Sequence, residues 1–266
     1  MLTEPRVQEE HVPIAQRGGL KIAYEVVGAG PPLVLHPGMF QTGAQWTRAG
    51  YTSVLATTHT VITVDPLGLG ASSAPVTPAD YSLARRAESV TAVLDDLGLG
   101  ETAFWGYSLG ALTGYAVALH APDRLSCLVA GAFDPINGFR SAVEAMLDEL
   151  GLPADTDPWP LMRQGARANP AYAAVIDAVA PEALRANYEA FRDEPGVHES
   201  LERATVPQLM YAGTADPWHD PMRTFATRTG TPFASIPDAD HVRAWRNTAE
   251  VLSHAHPFLT REQDQG

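Results

Sequence analysis

The spacing of apolar positions changes character twice along this chain. Up to about residue 132, short apolar runs alternate with longer amphipathic stretches. Residues 21–27, 32–36, 60–65, 101–106 and 125–130 are short apolar, often β-branched runs and predict strands. Between them, helices are expected near 46–57, over 83–97 and over 111–120. In the second of these, Leu83, Ala87, Val90, Val93, Leu94 and Leu97 keep the three-or-four spacing of one buried face, and Gly98 stops it. Pro122 closes the third. From Phe133 to about Thr205 strand-like runs disappear, and helices are expected over 139–150, 159–168, 171–179 and 181–192, separated by Gly151, Pro153, Pro158, Pro170 and Pro195. Alternation resumes with a strand at 207–212, a helix after Pro221, a strand at 232–236 and a closing helix over about 243–259. This pattern predicts an α/β fold, a mostly parallel central sheet flanked by helices. Residues 1–132 and 206–266 would form one core domain, with 133–205 inserted as a helical cap.

Composition narrows the function classes. The chain of 266 residues carries 31 acidic and 18 basic side chains, a formal charge of −13, and its one lysine is Lys21. Binding a phosphate backbone needs clustered Lys and Arg, so nucleic-acid partners are not expected. No apolar run approaches the roughly 20 residues that cross a bilayer, and the first ten residues are polar and acidic, unlike a secretory signal. The expected address is cytoplasmic, without membrane attachment. Cys127 is the single cysteine, so neither an internal disulfide nor a thiolate metal cluster is available. Oligomeric state is not encoded legibly.

Candidate chemistry centres on Gly106-Tyr107-Ser108-Leu109-Gly110, where a strand-like run ends and a helix-like run begins. A serine hydroxyl is a poor nucleophile at neutral pH, and a sharp strand-to-helix turn can expose it beside a base. Such a base needs an acid to hold its tautomer. Asp216 follows the 207–212 strand and His241 follows the 232–236 strand, both at positions where a parallel sheet presents site-forming loops.

The succession of His36-Pro37-Gly38-Met39, Asp65 with Gly68 and Gly70, Gly106-Tyr107-Ser108-Leu109-Gly110, Pro122-Asp123-Arg124-Leu125, Gly213 with Asp216, and Asp240-His241 resembles the α/β-hydrolase superfamily over nearly the whole chain. The resemblance implies Ser108 as nucleophile, His241 as general base and then acid, and Asp216 as the orienting carboxylate. It also implies an oxyanion hole built from the backbone N–H of Leu109 and one from the loop after His36. Many members carry His-Gly there, whereas here Pro37 cannot donate, which leaves Met39 or Gly38. Asp134, one strand earlier, is a rival acid. His36 is expected to brace the loop.

Other readings of these residues are weaker. Gly68-Leu69-Gly70 partly matches a dinucleotide fingerprint, but the third glycine is missing and Pro75 and Pro78 prevent the receiving helix. Ser72 between Gly70 and Ala74 fails as a second elbow for the same reason. His59 and His120 are expected to face solvent or cap helices, and no cofactor or metal is implied. Phe40, Tyr107, Phe139, Trp159 and Met162 are the expected substrate-binding side chains, next to the elbow or on the cap, whereas Trp46 and Trp105 could be pocket or core. The functional expectation is a serine hydrolase that cleaves a small or medium, mainly apolar carboxylic ester or lactone through an acyl-enzyme. C–C bond hydrolysis, perhydrolysis or a ligand receptor on the same fold are the alternatives.

Overall fold

The strands are β1 (Ile14–Arg17), β2 (Leu20–Val27), β3 (Pro32–His36), β4 (Thr60–Val64), β5 (Thr102–Tyr107), β6 (Leu125–Gly131), β7 (Gln208–Gly213) and β8 (Phe233–Ile236). They form a single sheet in the order β1-β2-β4-β3-β5-β6-β7-β8. These elements come from a computed structural model that describes residues 12–263, so the polar N-terminal decapeptide lies outside the described residues. β1 and β2 make an antiparallel hairpin, and β2 runs antiparallel to β4; every other neighbouring pair is parallel. β1 is too short and too polar to have been expected. Every residue of β5 and β7 is buried, which is why both read as continuous apolar runs rather than alternating ones.

The helices are α1 (Ala44–Arg48), α2 (Tyr51–Leu55), α3 (Leu83–Asp96), α4 (Leu109–His120), α5 (Arg140–Glu149), α6 (Trp159–Arg167), α7 (Pro170–Asp177), α8 (Pro181–Phe191), α9 (His198–Leu201), α10 (His219–Thr229), α11 (His241–Arg246) and α12 (Thr248–Gln263). The helix expected at 46–57 is two short ones because Gly50 turns left-handed, φ 85°. The expected closing helix is likewise divided, at Asn247, into α11 and α12. Between β6 and β7 the described chain is helical, α5 to α9, with no strand.

Topology places the site. The β3-to-β4 connection steps one way along the sheet, whereas the β4-to-β5 connection returns across β3 and steps the other way. Right-handed crossovers therefore put α1 and α2 on one face and α3 and α4 on the other. A crevice opens at the carboxyl ends of β3 and β5, where that direction reverses. Beneath it Trp46, Tyr51, Trp105 and Trp245 form an aromatic cluster, with Trp46 4.6 Å from Trp245 and 5.5 Å from Trp105 between ring centroids. Trp46 and Trp105 are thus core.

His59 and Ser72 are among the buried polar residues. His59, expected at the surface or as a cap, is fully buried at the end of the α2 segment, and burial lowers its pKa. Ser72 is buried as well: its hydroxyl accepts from the Ala23 N–H at 2.9 Å and donates to the Asp65 carbonyl at 2.7 Å, so it ties a loop to the sheet. The Cys127 thiol is buried in β6 and pushed up to about 12 by burial, an inert core group.

Candidate active site

β5 ends at Tyr107 and α4 starts at Leu109, which leaves Ser108 to make the whole turn at φ 57° and ψ −122°. A non-glycine residue is strained there, and surrounding contacts must hold it. The Ser108 N–H donates to the Gly131 carbonyl at 2.8 Å, and its own carbonyl accepts from the Ala111 N–H at 2.8 Å. The flanking glycines have a steric reason. A Cβ on Gly106 would collide with the Gly110 carbonyl, and one on Gly110 with the His36 carbonyl. Close approach of strand and helix is therefore what both glycines permit.

The acid and imidazole arrive from the other half of the sheet. Asp216 lies three residues beyond β7, and its side chain is fully buried; His241 is the first residue of α11 and is partly exposed. His241 Nδ1 lies 2.8 Å from Asp216 Oδ2, while Asp216 Oδ1 accepts from the Trp218 N–H at 3.0 Å. Asp240 caps α11 by accepting from the Val242 and Arg243 N–H groups at 3.0 and 2.8 Å, which fixes where His241 leaves the backbone. The rings of Tyr107 and Trp218 flank the imidazole at 5.2 and 5.1 Å. The Tyr107 hydroxyl donates to the His241 carbonyl at 2.6 Å. Burial, with the Asp216 charge added, raises the Tyr107 pKa far above its ordinary value, so it stays a donor.

Asp134 is fully buried too, but its partners are local. It accepts from the Ile136 N–H at 2.7 Å, Asn137 Nδ2 at 3.0 Å and Ser141 Oγ at 3.1 Å. It organises the turn into α5, and among the described residues it makes no hydrogen bond or ion pair with His241.

The loop after β3 completes one wall. Gly38 gives its N–H to Gln41 Oε1 at 2.9 Å, whereas among the described residues nothing accepts from the N–H of Met39 or Leu109. Phe40 adopts a left-handed φ of 62°. His36 is buried, with Nδ1 3.2 Å from the Pro37 carbonyl, and burial lowers its pKa to about 3, helped by the Arg86 charge, so it is a neutral brace. Asp65, at the end of β4, accepts from the Gly43 and Ala71 N–H groups, each at 2.9 Å, and clips two loops together.

Ser108, Asp216 and His241 line one cavity of about 770 Å³, together with Gly38, Met39 and Leu109. Its remaining wall is mainly apolar: Phe40, Tyr107, Phe139 and Met162, all expected from the sequence, with Phe133, Trp218 and Trp245. Trp159 is a correction. It does not line the cavity but is buried behind it, stacked on Tyr188 at 5.0 Å and 6.0 Å from Phe40. Sequence reasoning missed Val143, Met146, Leu161, Gln41 and Tyr172, which also line it. Val143 and Met146 share a face of α5 by their three-residue spacing, a legible signal; Gln41 and Tyr172 carried none. Among the described residues no cluster of three or more His, Cys, Asp or Glu could hold a metal ion, and no helix is long and apolar enough to cross a membrane.

Residues 31–150 match the family model described as the alpha/beta hydrolase fold. A protein of Azorhizobium caulinodans, named for carbamate hydrolysis, is 32% identical over 117 residues, 44% of this chain and 43% of its own length. The match thus spans less than half of that relative. A 3-oxoadipate enol-lactonase of Acinetobacter baylyi is 28% identical over 172 residues, 59% of this chain and 61% of its own. Among solved structures, a hydrolase from Pseudomonas aeruginosa superposes with a TM-score of 0.73 at 25% identity, covering 92% of this chain and 98% of its own. The enol-lactonase of Burkholderia xenovorans has the same fold, TM-score 0.74 at 21% identity, with 93% and 100% covered.

Proposed function

We propose, from the premise that this chain is a member of the α/β-hydrolase superfamily, that it is a serine hydrolase acting on a small or medium, mainly apolar carboxylic ester or lactone. The observation that carries the proposal is the 2.8 Å Asp216–His241 pair lining the same cavity as the strained Ser108. Among the described residues His241 Nε2 makes no hydrogen bond, so within the shared cavity it is available to take the proton of Ser108 Oγ when substrate is bound.

In this mechanism His241 takes the hydroxyl proton as Ser108 Oγ attacks the carbonyl carbon, and Asp216 holds Nδ1–H and stabilises the imidazolium. The developing oxyanion is met by the N–H of Leu109, at the positive end of α4, and by that of Met39. Met39 is preferred over Gly38 because the Gly38 N–H already serves Gln41. His241 then protonates the leaving alcohol, and water activated by the same imidazole releases the acid. The α5–α9 insertion is the cap, whose Val143, Met146, Leu161 and Met162 favour an apolar acyl or alcohol group. A cytoplasmic location and chemistry without a cofactor complete the proposal.

The test is the time course of p-nitrophenol release from a short acyl ester. A burst of one equivalent followed by steady turnover is expected, with Ser108→Ala keeping only the residual rate of binding and oxyanion hole. A single equivalent without turnover would identify a receptor; full activity in Ser108→Ala would remove the nucleophile.

A further inference from the structure

Gln41 touches both halves of the site. Its side chain is buried, and its two amide atoms have different duties. A backbone N–H can only donate, so the atom facing Gly38 at 2.9 Å must be Oε1, which leaves Nε2 to donate to the Tyr172 hydroxyl at 2.7 Å. Gly38 belongs to the loop that presents the Met39 N–H. Tyr172 stands on α7, 131 residues away, in the insertion, where the Asn169 side chain caps the helix by accepting from the Ala171 N–H at 3.0 Å. Between Gly38 and Gln41 the chain passes through Phe40 at φ 62°, a conformation that persists only if neighbours hold it. Its ring lies 6.0 Å from Trp159, again a residue of the insertion. The loop is thus held to the insertion at two successive residues, one by packing and one by a hydrogen bond.

We propose that Gln41 is a positioning residue that couples the cap to the oxyanion hole: Tyr172 anchors Nε2, Oε1 fixes Gly38, and the Met39 N–H is thereby held where the oxyanion forms. This inference rests on the serine-hydrolase reading above and adds that the cap sets the rates of acylation and deacylation, both of which pass through an oxyanion, as well as the choice of substrate. Oxyanion donors act only once charge develops. Loosening the relay therefore lowers kcat and leaves ground-state binding nearly untouched. The competing role, direct substrate binding by these two cavity-lining polar groups, would instead raise KM.

The experiment is steady-state kinetics of wild type, Gln41→Met, Tyr172→Phe and the double variant on one p-nitrophenyl ester, with rates of labelling by a fluorophosphonate and melting temperatures measured alongside. Gln41→Met is expected to lower kcat about 10–100-fold, less than complete loss of a donor, with KM within about threefold. Tyr172→Phe, which retains the ring and the Gln41–Gly38 bond, is expected to lower kcat about 3–10-fold. The double variant should be no worse than Gln41→Met alone, because both changes break one relay. Slower labelling that still reaches one equivalent at Ser108 is the matching chemical signature. A rise in KM at constant kcat, multiplicative losses, or Gln41→Met at wild-type kcat would overturn the proposal. If Gln41→Met does not fold, Tyr172→Phe alone decides it by the same kcat-against-KM split. Wild type that is never labelled at Ser108 would bring down the serine-hydrolase reading itself.

Discussion

Replacing Asp216 by asparagine preserves size and tests the chemistry, because an amide has one accepting end where a carboxylate has two. Asp216 serves two donors, the Trp218 N–H on Oδ1 and His241 Nδ1 on Oδ2. The backbone N–H cannot change its role, so it claims the amide oxygen and turns the NH2 toward His241. That selects the imidazole tautomer protonated at Nε2, which cannot accept the Ser108 proton. Reversing the amide restores the useful tautomer but sets donor against donor at Trp218, a cost of about 1–3 kcal/mol, and the charge that stabilised the imidazolium is still missing. Together these losses should approach the roughly 10⁴-fold fall in kcat typical of such a change, or about 5.5 kcal/mol of barrier. Asp134→Asn is the internal control. It also removes an acceptor from a buried carboxylate with three donors around it, so it should cost about 1–3 kcal/mol of stability but leave kcat within about threefold. The assay is p-nitrophenyl ester turnover normalised to correctly folded protein, with thermal unfolding in parallel. Turnover of Asp216→Asn within tenfold of wild type, or a larger loss in Asp134→Asn, would remove Asp216 from the orienting role and move the acid to the turn after β6.

Three further outcomes follow from the geometry. His36 is held neutral, with its pKa lowered to about 3; between that value and the ordinary 6.5 the unfolded chain binds a proton that the native one does not, so stability falls as pH is lowered through this window by up to about 1.4 kcal/mol per pH unit. Denaturant titrations of wild type and His36→Gln should diverge in slope there, and parallel slopes would show that His36 titrates normally. Gly110→Ala drives a Cβ into the His36 carbonyl, and a loss of about 3 kcal/mol or more is expected; a melting temperature within a few degrees of wild type would contradict the close approach. Ser108→Gly should unfold about 1 kcal/mol harder than Ser108→Ala, since only glycine relieves the left-handed φ, and the opposite order by denaturant titration would mean that the turn is unstrained.

What could be read in advance depended on range. Strands such as Thr60–Val64 and Thr102–Tyr107, the amphipathic helix at Leu83–Asp96 and the change to helices after Phe133 are local patterns of period two, a continuous apolar run, or period 3.6, and each survives into the structure. β1 escaped because four residues with two exposed polar ends carry no period, and the expected helices at 46–57 and 243–259 were divided by single residues, Gly50 and Asn247, at their turns. Ser108 was legible for the same local reason: glycines two positions to either side mark a strand-to-helix turn.

Local sequence laid down the parallel α/β frame, the strand-to-helix turn at Ser108 and the loops that carry Asp216 and His241, because hydrophobic period and turn residues act over a few neighbours. It favoured Asp216 over Asp134 and Met39 over Gly38 without showing which groups each meets, and it could neither send Trp159 behind the cavity wall nor join Gln41 to Tyr172. His241 meets Asp216 at 2.8 Å across 25 residues, Gln41 meets Tyr172 at 2.7 Å across 131, and Trp159 meets the Tyr188 ring at 5.0 Å; only the order of strands in the sheet and the seating of the helices above it bring such partners together.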